Sequence, residues 1–277
     1  MHTLLEILRK SEDLLRDRGI VEARLDAEHL IADTLGCKRM ELYLQFDRPM
    51  TEDLLAQIRP RLSRRARREP LSYILGHHPF HDLDLTVRPG ALIPRPETED
   101  LLQITTDHMR TEPKRILDLG TGTGAIALWL KTSFPEATVI ATDRSTDALS
   151  LAKENGEKLG LEVEWTESDW FENVTSPFDL IVSNPPYLTE KEWKDAEPEV
   201  RDFEPKEALV APDSGLADLK RILAEARPFL AEGALLALET GIHQRDSLQK
   251  TAEEAGYSEA WGEDDLNERD RFFFARA

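Results

Sequence analysis

Three glycines at alternate positions, Gly120, Gly122 and Gly124, follow an apolar segment and constrain the fold more than any other feature of this chain. The apolar residues from Ile116 to Leu119 predict a buried strand, and the residues after the glycines predict a helix. Glycine permits a tight turn and a close approach of backbone to ligand, so the loop favours a nucleotide-like ligand at a strand end. Its Gly-x-Gly-x-Gly spacing differs from the Gly-x-Gly-x-x-Gly of dinucleotide sites.

The chain around this loop alternates strand-like and helix-like segments from Pro113 onward. Helical periodicity separates most of the predicted strands, which lie at 115–119, 138–142, 162–167, 178–183 and 234–239. Such alternation predicts an α/β fold with a mostly parallel, doubly wound sheet. Two final extended segments, 258–262 and 271–275, predict a terminal hairpin.

The residues before this region predict two further parts. Residues 1–70 carry leucine and isoleucine at helical spacing, which predicts a small N-terminal helical domain. Residues 71–95 predict a hairpin linker, and residues 96–277 are expected to form the larger domain that contains the sheet.

The linker is predicted to hold two short strands, Ser72–Leu75 and Leu83–Val87. His77, His78 and His81 fall near the turn between them. A metal site needs further ligands at supporting positions, and none follow, so no metal is predicted.

Six arginines are concentrated at the end of the third predicted helix: Arg59, Arg61, Arg64, Arg65, Arg67 and Arg68. The simpler interpretation is a solvated helix face. The alternative is a docking surface for an acidic partner.

Charge is divided unevenly along the chain, whose formal net charge is -19. Residues 1–80 carry 14 basic and 13 acidic side chains, whereas residues 81–277 carry 21 basic and 41 acidic ones. A domain this acidic repels a phosphate backbone at long range. We therefore expect no direct nucleic-acid partner.

Features of exported or membrane proteins are not evident in the sequence. No apolar run approaches the roughly 20 residues that a membrane span needs. The first residues lack the basic and apolar regions of a signal peptide. We expect a cytoplasmic protein that has no membrane partner.

Acidic and aromatic residues mark the ends of the strands around the glycine loop. Asp118 lies beside the loop and favours a ligand with a positive amino-acid head, such as S-adenosylmethionine. Asp143 ends the next strand, where a carboxylate can accept from both ribose hydroxyls, the alternative being a carboxylate stabilised by a helix N-terminus. Asp169 and Trp170 end the third strand, near an adenine in this architecture, the alternative being a surface Asp and a core Trp.

The apolar strand predicted at 178–183 runs into Asn184-Pro185-Pro186-Tyr187. A planar NH2 group is a poor nucleophile because its lone pair is delocalised. Acceptance of its two hydrogens by the Asn184 side-chain oxygen and the Pro185 carbonyl localises that lone pair and aims the nitrogen at a methyl donor. Tyr187 can pack on the flat face of the group. The motif predicts methylation of an amino nitrogen, with Asn184, Pro185 and Tyr187 catalytic and all four residues, Pro186 included, binding substrate.

These motifs resemble those of the protein-(glutamine-N5) methyltransferases that modify peptide chain release factors. The resemblance covers nearly the whole chain and rests on the motifs Asp-Leu-Gly-Thr-Gly-Thr-Gly, Asp143, Ser-Asp-Trp-Phe and Asn-Pro-Pro-Tyr in that order. Leu92–Glu99 is similar to that family's motif before the sheet, and Ala23–Glu28 to its helical domain. Phe203-Glu204-Pro205 is similar to its loop after the catalytic motif. One departure is the charged ending Asn267–Arg271, which is expected to touch no catalytic role.

The resemblance implies a class I methyltransferase (Rossmann-like) fold with S-adenosyl-L-methionine as methyl donor and S-adenosyl-L-homocysteine as product. It implies that the acceptor is the glutamine of the Gly-Gly-Gln motif in release factors, in translation termination. It implies cofactor contacts by Gly120, Thr121, Gly122, Thr123, Gly124, Asp143, Trp170 and Asn184. The position of Asp169 at the end of the third strand adds that residue to the predicted cofactor site. Pro94–Glu97 would cover the pocket. The helical domain would dock the release factor outside the glutamine loop, because one glutamine offers too little surface for specificity, and we expect a monomer.

Two other functions stay open from the residues alone. Asn-Pro-Pro-Tyr is shared with adenine-N6 and other amino methyltransferases, so a nucleic-acid methyltransferase is the first alternative. It predicts a basic target-recognition domain, whereas the larger domain here is acidic. A non-catalytic binding protein of the same fold is the second, and the intact catalytic motif beside an intact glycine loop speaks against it.

Overall fold

A computed structural model describes residues 2–175 and 177–277. The chain divides into two compact units. The helical unit comprises the residues up to His77 together with Glu197–Phe203, and the sheet unit comprises His78–Ala196 and Glu204–Ala277. None of the described helices is both long enough and apolar enough to cross a membrane.

The helices, in chain order, are α1 (Leu4–Asp17), α2 (Ala23–Leu35), α3 (Glu52–Arg65), α4 (Leu71–Leu75), α5 (Pro96–His108), α6 (Ala125–Ser133), α7 (Thr146–Leu159), α8 (Glu190–Asp195), α9 (Pro198–Arg201), α10 (Pro212–Gly215), α11 (Ala217–Ala226) and α12 (Arg245–Ala255). The strands are β1 (His77–Phe80), β2 (Leu83–Thr86), β3 (Arg115–Leu119), β4 (Thr138–Asp143), β5 (Glu164–Glu167), β6 (Phe178–Ser183), β7 (Leu230–Glu239), β8 (Glu259–Asp264) and β9 (Asp270–Arg276).

The helical unit forms because α1 to α4 bury one apolar face each. α1 begins at Thr3, whose hydroxyl accepts from the Glu6 N–H while the Glu6 carboxylate accepts from the Thr3 N–H. This capping box supplies hydrogen-bond acceptors for two backbone N–H groups that have no partner within the first turn of the helix. The apolar side chains of the unit form one core that includes Leu4, Leu8, Leu15, Leu30, Ile31, Leu42 and Ile58.

A segment distant in sequence completes the helical unit. Glu199 of α9 accepts hydrogen bonds from Arg65 at 2.7 Å and from Arg68 at 2.7 and 2.6 Å. Arg65 also donates to Asp26 at 2.6 Å. Burial raises the pKa of Glu199, but the hydrogen bonds from Arg68 and Arg65 outweigh it and hold the pKa below its ordinary value. A half-buried ion network thus fastens the segment Glu197–Phe203 within the helical unit.

The arginine cluster pairs with acidic residues of its own unit. Arg65 and Arg68 bind the Glu199 carboxylate, and three further ion pairs join Arg59 to Glu52, Arg61 to Asp33 and Arg64 to Glu69. The arginines of these pairs therefore already bind carboxylates of the same chain.

The segment Ser72–Leu75, predicted as a strand, is helical. α4 starts after Pro70 and ends at Gly76, which has a φ of +83°. Proline before a helix and a left-handed glycine after it are start and stop signals, and a short apolar run cannot be assigned by periodicity alone. The hairpin therefore begins later, at His77, and consists of β1 and β2.

The sheet unit holds a seven-stranded sheet in the order β5-β4-β3-β6-β7-β9-β8. The first five strands in that order are parallel, and β9 runs antiparallel to β7 and β8. This confirms the predicted doubly wound α/β fold with its terminal hairpin. Helices cover both faces, and an apolar layer lies on each side of the sheet.

The strand order reverses between β3 and β6, which are hydrogen-bonded neighbours with Leu119 opposite Ser183. From β3 the chain proceeds outward to β4 and β5, and from β6 it proceeds the other way to β7. Ligands of such sheets bind in the crevice at the carboxyl ends of the strands at this reversal. The glycine loop follows β3 and the Asn-Pro-Pro-Tyr motif follows β6, so the topology brings both to one crevice.

Candidate active site

A cavity of about 600 Å³ lies at this crevice. It suits a small-molecule ligand, since such pockets measure about 300–1,000 Å³. The sequence-predicted residues that line it are Gly120, Thr121, Gly122, Thr123, Asp143, Asp169, Trp170, Asn184, Pro185 and Pro186. Two predicted residues, Gly124 and Tyr187, are not among its lining.

The glycine loop is held in a left-handed conformation that glycine adopts freely. The φ angles of Gly120, Gly122 and Gly124 are +73°, +56° and +85°. The backbone N–H groups of Gly120 and Thr121 both donate to the Thr142 carbonyl, at 2.8 and 2.9 Å. Gly124 serves the packing of α6 instead of the cavity, because a Cβ there would meet neighbouring side chains at 3.1–3.2 Å.

Asp118, at the end of β3, binds the glycine loop through hydrogen bonds. Its Oδ2 accepts from the Thr121 hydroxyl at 2.5 Å and from the Ala127 N–H at 3.1 Å. Its Oδ1 has no hydrogen-bond partner among the described residues. Burial raises the pKa of Asp118 to about 7, against the hydrogen bonds, which lower it.

Asp143 lies at the carboxyl end of β4 and links loop to helix. Its Oδ2 accepts from the Gly122 N–H and its Oδ1 from the Ser145 N–H, each at 2.9 Å. A carboxylate has about four lone-pair sites, so both oxygens keep capacity to accept from a ligand. The structure therefore places Asp143 at the start of α7, which is the alternative given from the sequence, while the ribose role stays a prediction.

Asp169 and Trp170 also line the cavity. Asp169 accepts from Arg221 at 2.9 Å. Trp170 has a φ of +50°, and its ring lies 3.5 Å from where a Cβ of Gly120 would stand. Asp218 is a cavity-lining carboxylate that sequence reasoning missed; burial raises its pKa, while the charge of Arg144 and the Trp170 side chain lower it.

The first three residues of the Asn-Pro-Pro-Tyr motif also form a wall of the cavity. Ser183, immediately before it, donates from its hydroxyl to the Leu119 carbonyl at 2.7 Å and so ties the ends of β6 and β3 together. The Asn184 side-chain NH2 donates to the Thr98 hydroxyl oxygen at 3.0 Å. Tyr187 lies behind the wall, where its hydroxyl donates to Glu239 at 2.8 Å.

Thr98 and Glu239, two buried residues that contact this motif, were also missed from the sequence. Glu239 is fully buried, and its second oxygen accepts from the Thr98 hydroxyl at 2.6 Å. Burial raises the pKa of Glu239, and burial with the neighbouring Glu239 raises that of Tyr187. Glu239 ends β7 beside β6, so its position at a strand end could have indicated it, whereas Thr98 lies in the first turn of α5 and had only its place in the Pro-Arg-Pro-Glu-Thr-Glu motif as a signal.

Arg271 lies in the charged segment near the end of the chain. The segment Asn267–Arg271 was expected to touch no catalytic role. The Arg271 guanidinium lies over the Tyr187 ring, 5.9 Å from its centroid, and lowers the pKa of Glu239. The terminal hairpin thus supplies positive charge beside the Asn-Pro-Pro-Tyr motif.

Pro94 lines the cavity, and the segment around it is fastened by Glu204. The Glu204 carboxylate accepts from Arg95 at 2.6 Å and from the Ile93 N–H at 3.3 Å. Burial raises the pKa of Glu204, while Arg95 lowers it. The pre-sheet motif and the loop after the catalytic motif are therefore joined at the rim of the cavity.

Comparison with known families gives matches to both parts of the chain. Residues 6–76 match the PrmC N-terminal domain, and residues 98–199 match the methyltransferase small domain. A protein of Deinococcus radiodurans named release factor glutamine methyltransferase is 39% identical over 274 residues, which cover 99% of this chain and 98% of that protein. Proteins of the same name from Geobacter sulfurreducens and Escherichia coli are 37% and 38% identical and cover 97% and 91% of this chain, or 95% and 92% of their own lengths.

Solved structures share the fold at low sequence identity. The catalytic domain of hMettl16, in complex with a MAT2A 3′UTR hairpin, superposes with a TM-score of 0.61 at 18% identity and covers 78% of this chain and 81% of that one. A methyltransferase from Pyrococcus furiosus gives a TM-score of 0.55 at 20% identity, covering 71% of this chain and 89% of that one.

Proposed function

The chain belongs to the family of release factor glutamine methyltransferases, and from this premise we propose that it methylates the glutamine of the Gly-Gly-Gln motif in peptide chain release factors. The methyl group goes from S-adenosyl-L-methionine to the side-chain amide nitrogen. The observation that carries the proposal is that Asn184 and Pro185 line the same cavity as the glycine loop.

The cavity residues fit S-adenosyl-L-methionine. The unpaired Asp118 Oδ1, buried beneath the loop, is a carboxylate oxygen that a positively charged ligand head would stabilise. Asp143 retains acceptor capacity for the ribose hydroxyls. Trp170 offers an aromatic face and Asp169 a carboxylate at the adenine end, so these residues and the loop would hold the cofactor.

The catalytic residues act by position and hydrogen bonding. Bound S-adenosyl-L-methionine supplies a methyl group on a sulfonium, which the amide nitrogen takes by in-line displacement, leaving S-adenosyl-L-homocysteine. Asn184 Oδ1 and the Pro185 carbonyl accept the two hydrogens of the glutamine NH2 group and aim its nitrogen. Pro185 and Pro186 carry no N–H, so the loop offers acceptors to the substrate. Tyr187 braces the motif, and after transfer the nitrogen releases its extra proton to water.

We propose that the acceptor is a protein and not a nucleic acid. The part of the chain that holds the sheet keeps the acidic balance noted in the sequence. The alternative, an adenine-N6 type methyltransferase, shares the Asn-Pro-Pro-Tyr motif but needs a surface that attracts phosphates. We further propose that the enzyme acts as a monomer in the cytoplasm, where release factors work.

Mass spectrometry of a purified, unmethylated release factor tests the proposal. After incubation with the enzyme and S-adenosyl-L-methionine, we expect one added methyl group on the Gly-Gly-Gln peptide. Asn184→Ala should lower turnover by about 10²–10³-fold, the usual cost of one transition-state hydrogen-bonding group. A parallel reaction with labelled donor and bulk nucleic acid decides the alternative: label in nucleic acid and none in the release factor would overturn the proposal.

A further inference from the structure

The side-chain amide of Asn184 can present either its oxygen or its NH2 group to the substrate. Only the oxygen can accept a hydrogen of the glutamine NH2 group, so the amide must be held in one of two orientations. The amide by itself does not favour either orientation, since its oxygen and its NH2 group are nearly the same size. The surrounding residues must make that selection.

Thr98 makes the selection because its hydroxyl has one proton to give. The hydroxyl donates to Glu239 Oε2 at 2.6 Å. With its proton committed there, the Thr98 oxygen can only accept from Asn184, 3.0 Å away. The NH2 end of Asn184 therefore faces Thr98, and the oxygen is left for the substrate.

Glu239 fixes the direction of this chain of hydrogen bonds. An ionised carboxylate has no proton to donate, so both neighbouring hydroxyls must point toward it. Oε2 receives the Thr98 hydroxyl and Oε1 the Tyr187 hydroxyl, at 2.6 and 2.8 Å. One buried carboxylate thus holds both ends of the catalytic motif, and Arg271 supplies the nearby positive charge.

We infer that Glu239 is a positioning residue that acts through Thr98 to hold Asn184 as a hydrogen-bond acceptor, and that this orientation makes the enzyme select glutamine over glutamate. The inference rests on the proposed function. With Asn184 Oδ1 and the Pro185 carbonyl both accepting, a glutamine NH2 group satisfies the pair. A glutamate carboxylate brings no hydrogen and would face two acceptors, and a site built to hydrogen-bond an NH group discriminates strongly against such an analogue.

Loss of the Thr98 hydroxyl frees the amide to rotate. Thr98→Val keeps the shape of the side chain and removes the proton that reaches Glu239. Asn184 can then turn its NH2 end to the substrate, where it binds a carboxylate and no longer accepts from an amide. Thr98→Ser keeps the hydroxyl and should keep the selection.

The experiment compares wild type, Thr98→Val, Thr98→Ser and Glu239→Gln as full-length proteins. Turnover is measured on a release factor, and a variant of that factor with glutamate in place of the glutamine serves as competitive inhibitor. We expect Thr98→Val to lower kcat at least tenfold and to tighten inhibition by the glutamate factor at least threefold. Thr98→Ser should stay within threefold of wild type in both, and Glu239→Gln should lower kcat.

A matched control lies on the same helix. Thr105 is fully buried, and its hydroxyl donates to the Leu101 carbonyl at 2.6 Å within α5. Thr105→Val removes an equally buried hydroxyl without touching the motif and should leave kcat and inhibition unchanged. The dissociation constant for S-adenosyl-L-methionine, measured by calorimetry, reports whether each variant retains the folded cavity.

The outcomes separate the inference from the function on which it rests. Wild-type enzyme that transfers no methyl group to the release factor overturns the proposed function, and the inference with it. The inference alone is overturned if the wild type is active and the Thr98→Val variant keeps the wild-type kcat and is inhibited as weakly as the wild type by the glutamate variant of the release factor. Equal damage from Thr98→Ser and Thr98→Val also overturns it, because the cause would then be packing of the γ-methyl group.

Discussion

Gly215 lies so close to Tyr187 that a Cβ at position 215 would stand 2.1 Å from the Tyr187 carbonyl oxygen. The same carbonyl accepts from the Gln244 side chain at 3.0 Å. The backbone at Gly215 is left-handed, with a φ of +82°, and so are Asp213 and Ser214 before it. The end of the catalytic motif is therefore fixed by a close backbone contact that only glycine allows.

We predict that Gly215→Ala displaces the catalytic motif. The left-handed φ alone costs about 1–2 kcal/mol for alanine, and the contact with the Tyr187 carbonyl must also be relieved by movement of that loop. We expect at least tenfold lower methyl transfer. Gly256→Ala is the control, since Gly256 has a similar φ of +78° with nothing within 4 Å of the added Cβ. Equal loss of activity in both variants would contradict the prediction.

The stability of the protein without cofactor should depend on Asp118. Because burial raises its folded pKa to about 7 from 3.8, the folded state holds a proton that the unfolded state has lost. The stability from this group is therefore present at low pH and falls as pH rises toward the folded pKa, by about 2 kcal/mol between pH 5 and pH 7. Asp118→Asn cannot ionise and should remove that part of the pH dependence.

Denaturant unfolding of wild type and Asp118→Asn across this pH range measures the effect. As pH rises, the unfolding free energy of the wild type should fall relative to that of Asp118→Asn. A difference that stays constant from pH 5 to pH 8 would show that Asp118 does not titrate there.

Much of this molecule was predictable because its elements carry local signals. The glycine loop, Asp143 and Asn184–Tyr187 follow apolar strands, and parallel strands bring their carboxyl ends together. The helix α4 was missed because Tyr73 and Ile74 are both buried, and a five-residue apolar run reads equally as a strand.

Long-range partners were not predictable in the same way. Thr98, Glu239 and Arg271 meet at the catalytic motif from three distant parts of the chain, and no local spacing encodes that meeting. The arginine cluster shows the same limit. Its composition predicted either a solvent-exposed helix face or a docking surface for an acidic partner. Arg65 and Arg68 instead bind Glu199, which lies more than a hundred positions away in the sequence.

We predict that activity falls at acid pH through protonation of Glu239. Burial raises its pKa, and the charged or titratable groups that face it are Arg271, Glu97 and Tyr187. A protonated Glu239 carboxyl can donate a hydrogen bond, so the Thr98 hydroxyl would no longer have to donate to Glu239. Activity should therefore be present above the raised pKa and lost below it. The dependence of kcat on pH measures this, and an unchanged acid limb in Glu239→Gln would assign the titration to another group.

Glu199→Gln should destabilise the helical unit. The substitution leaves Arg65, whose side chain is only 9% exposed, with Asp26 as its remaining carboxylate partner. Removing one member of a buried ion network costs up to about 3–5 kcal/mol, and about 1–3 kcal/mol is expected at this half-buried site. Glu197→Gln is the control, because the Glu197 side chain is 73% exposed and a surface pair contributes about 0–1 kcal/mol. Similar unfolding free energies for the two variants would refute the ranking.

We propose that the helical unit docks the release factor, so removing residues 1–70 should raise the KM for that protein far more than it weakens cofactor binding. The cavity and its lining lie within the sheet unit, so the dissociation constant for S-adenosyl-L-methionine should change little. Glu197–Phe203 belongs to the helical unit, however, and truncation also frees this segment from Arg65 and Arg68. Full-length Glu199→Gln isolates that second effect, because it loosens the segment and keeps the docking surface. Docking predicts a large rise in KM for the truncated protein and a small one for Glu199→Gln; equal rises would assign the effect to the segment after the catalytic motif.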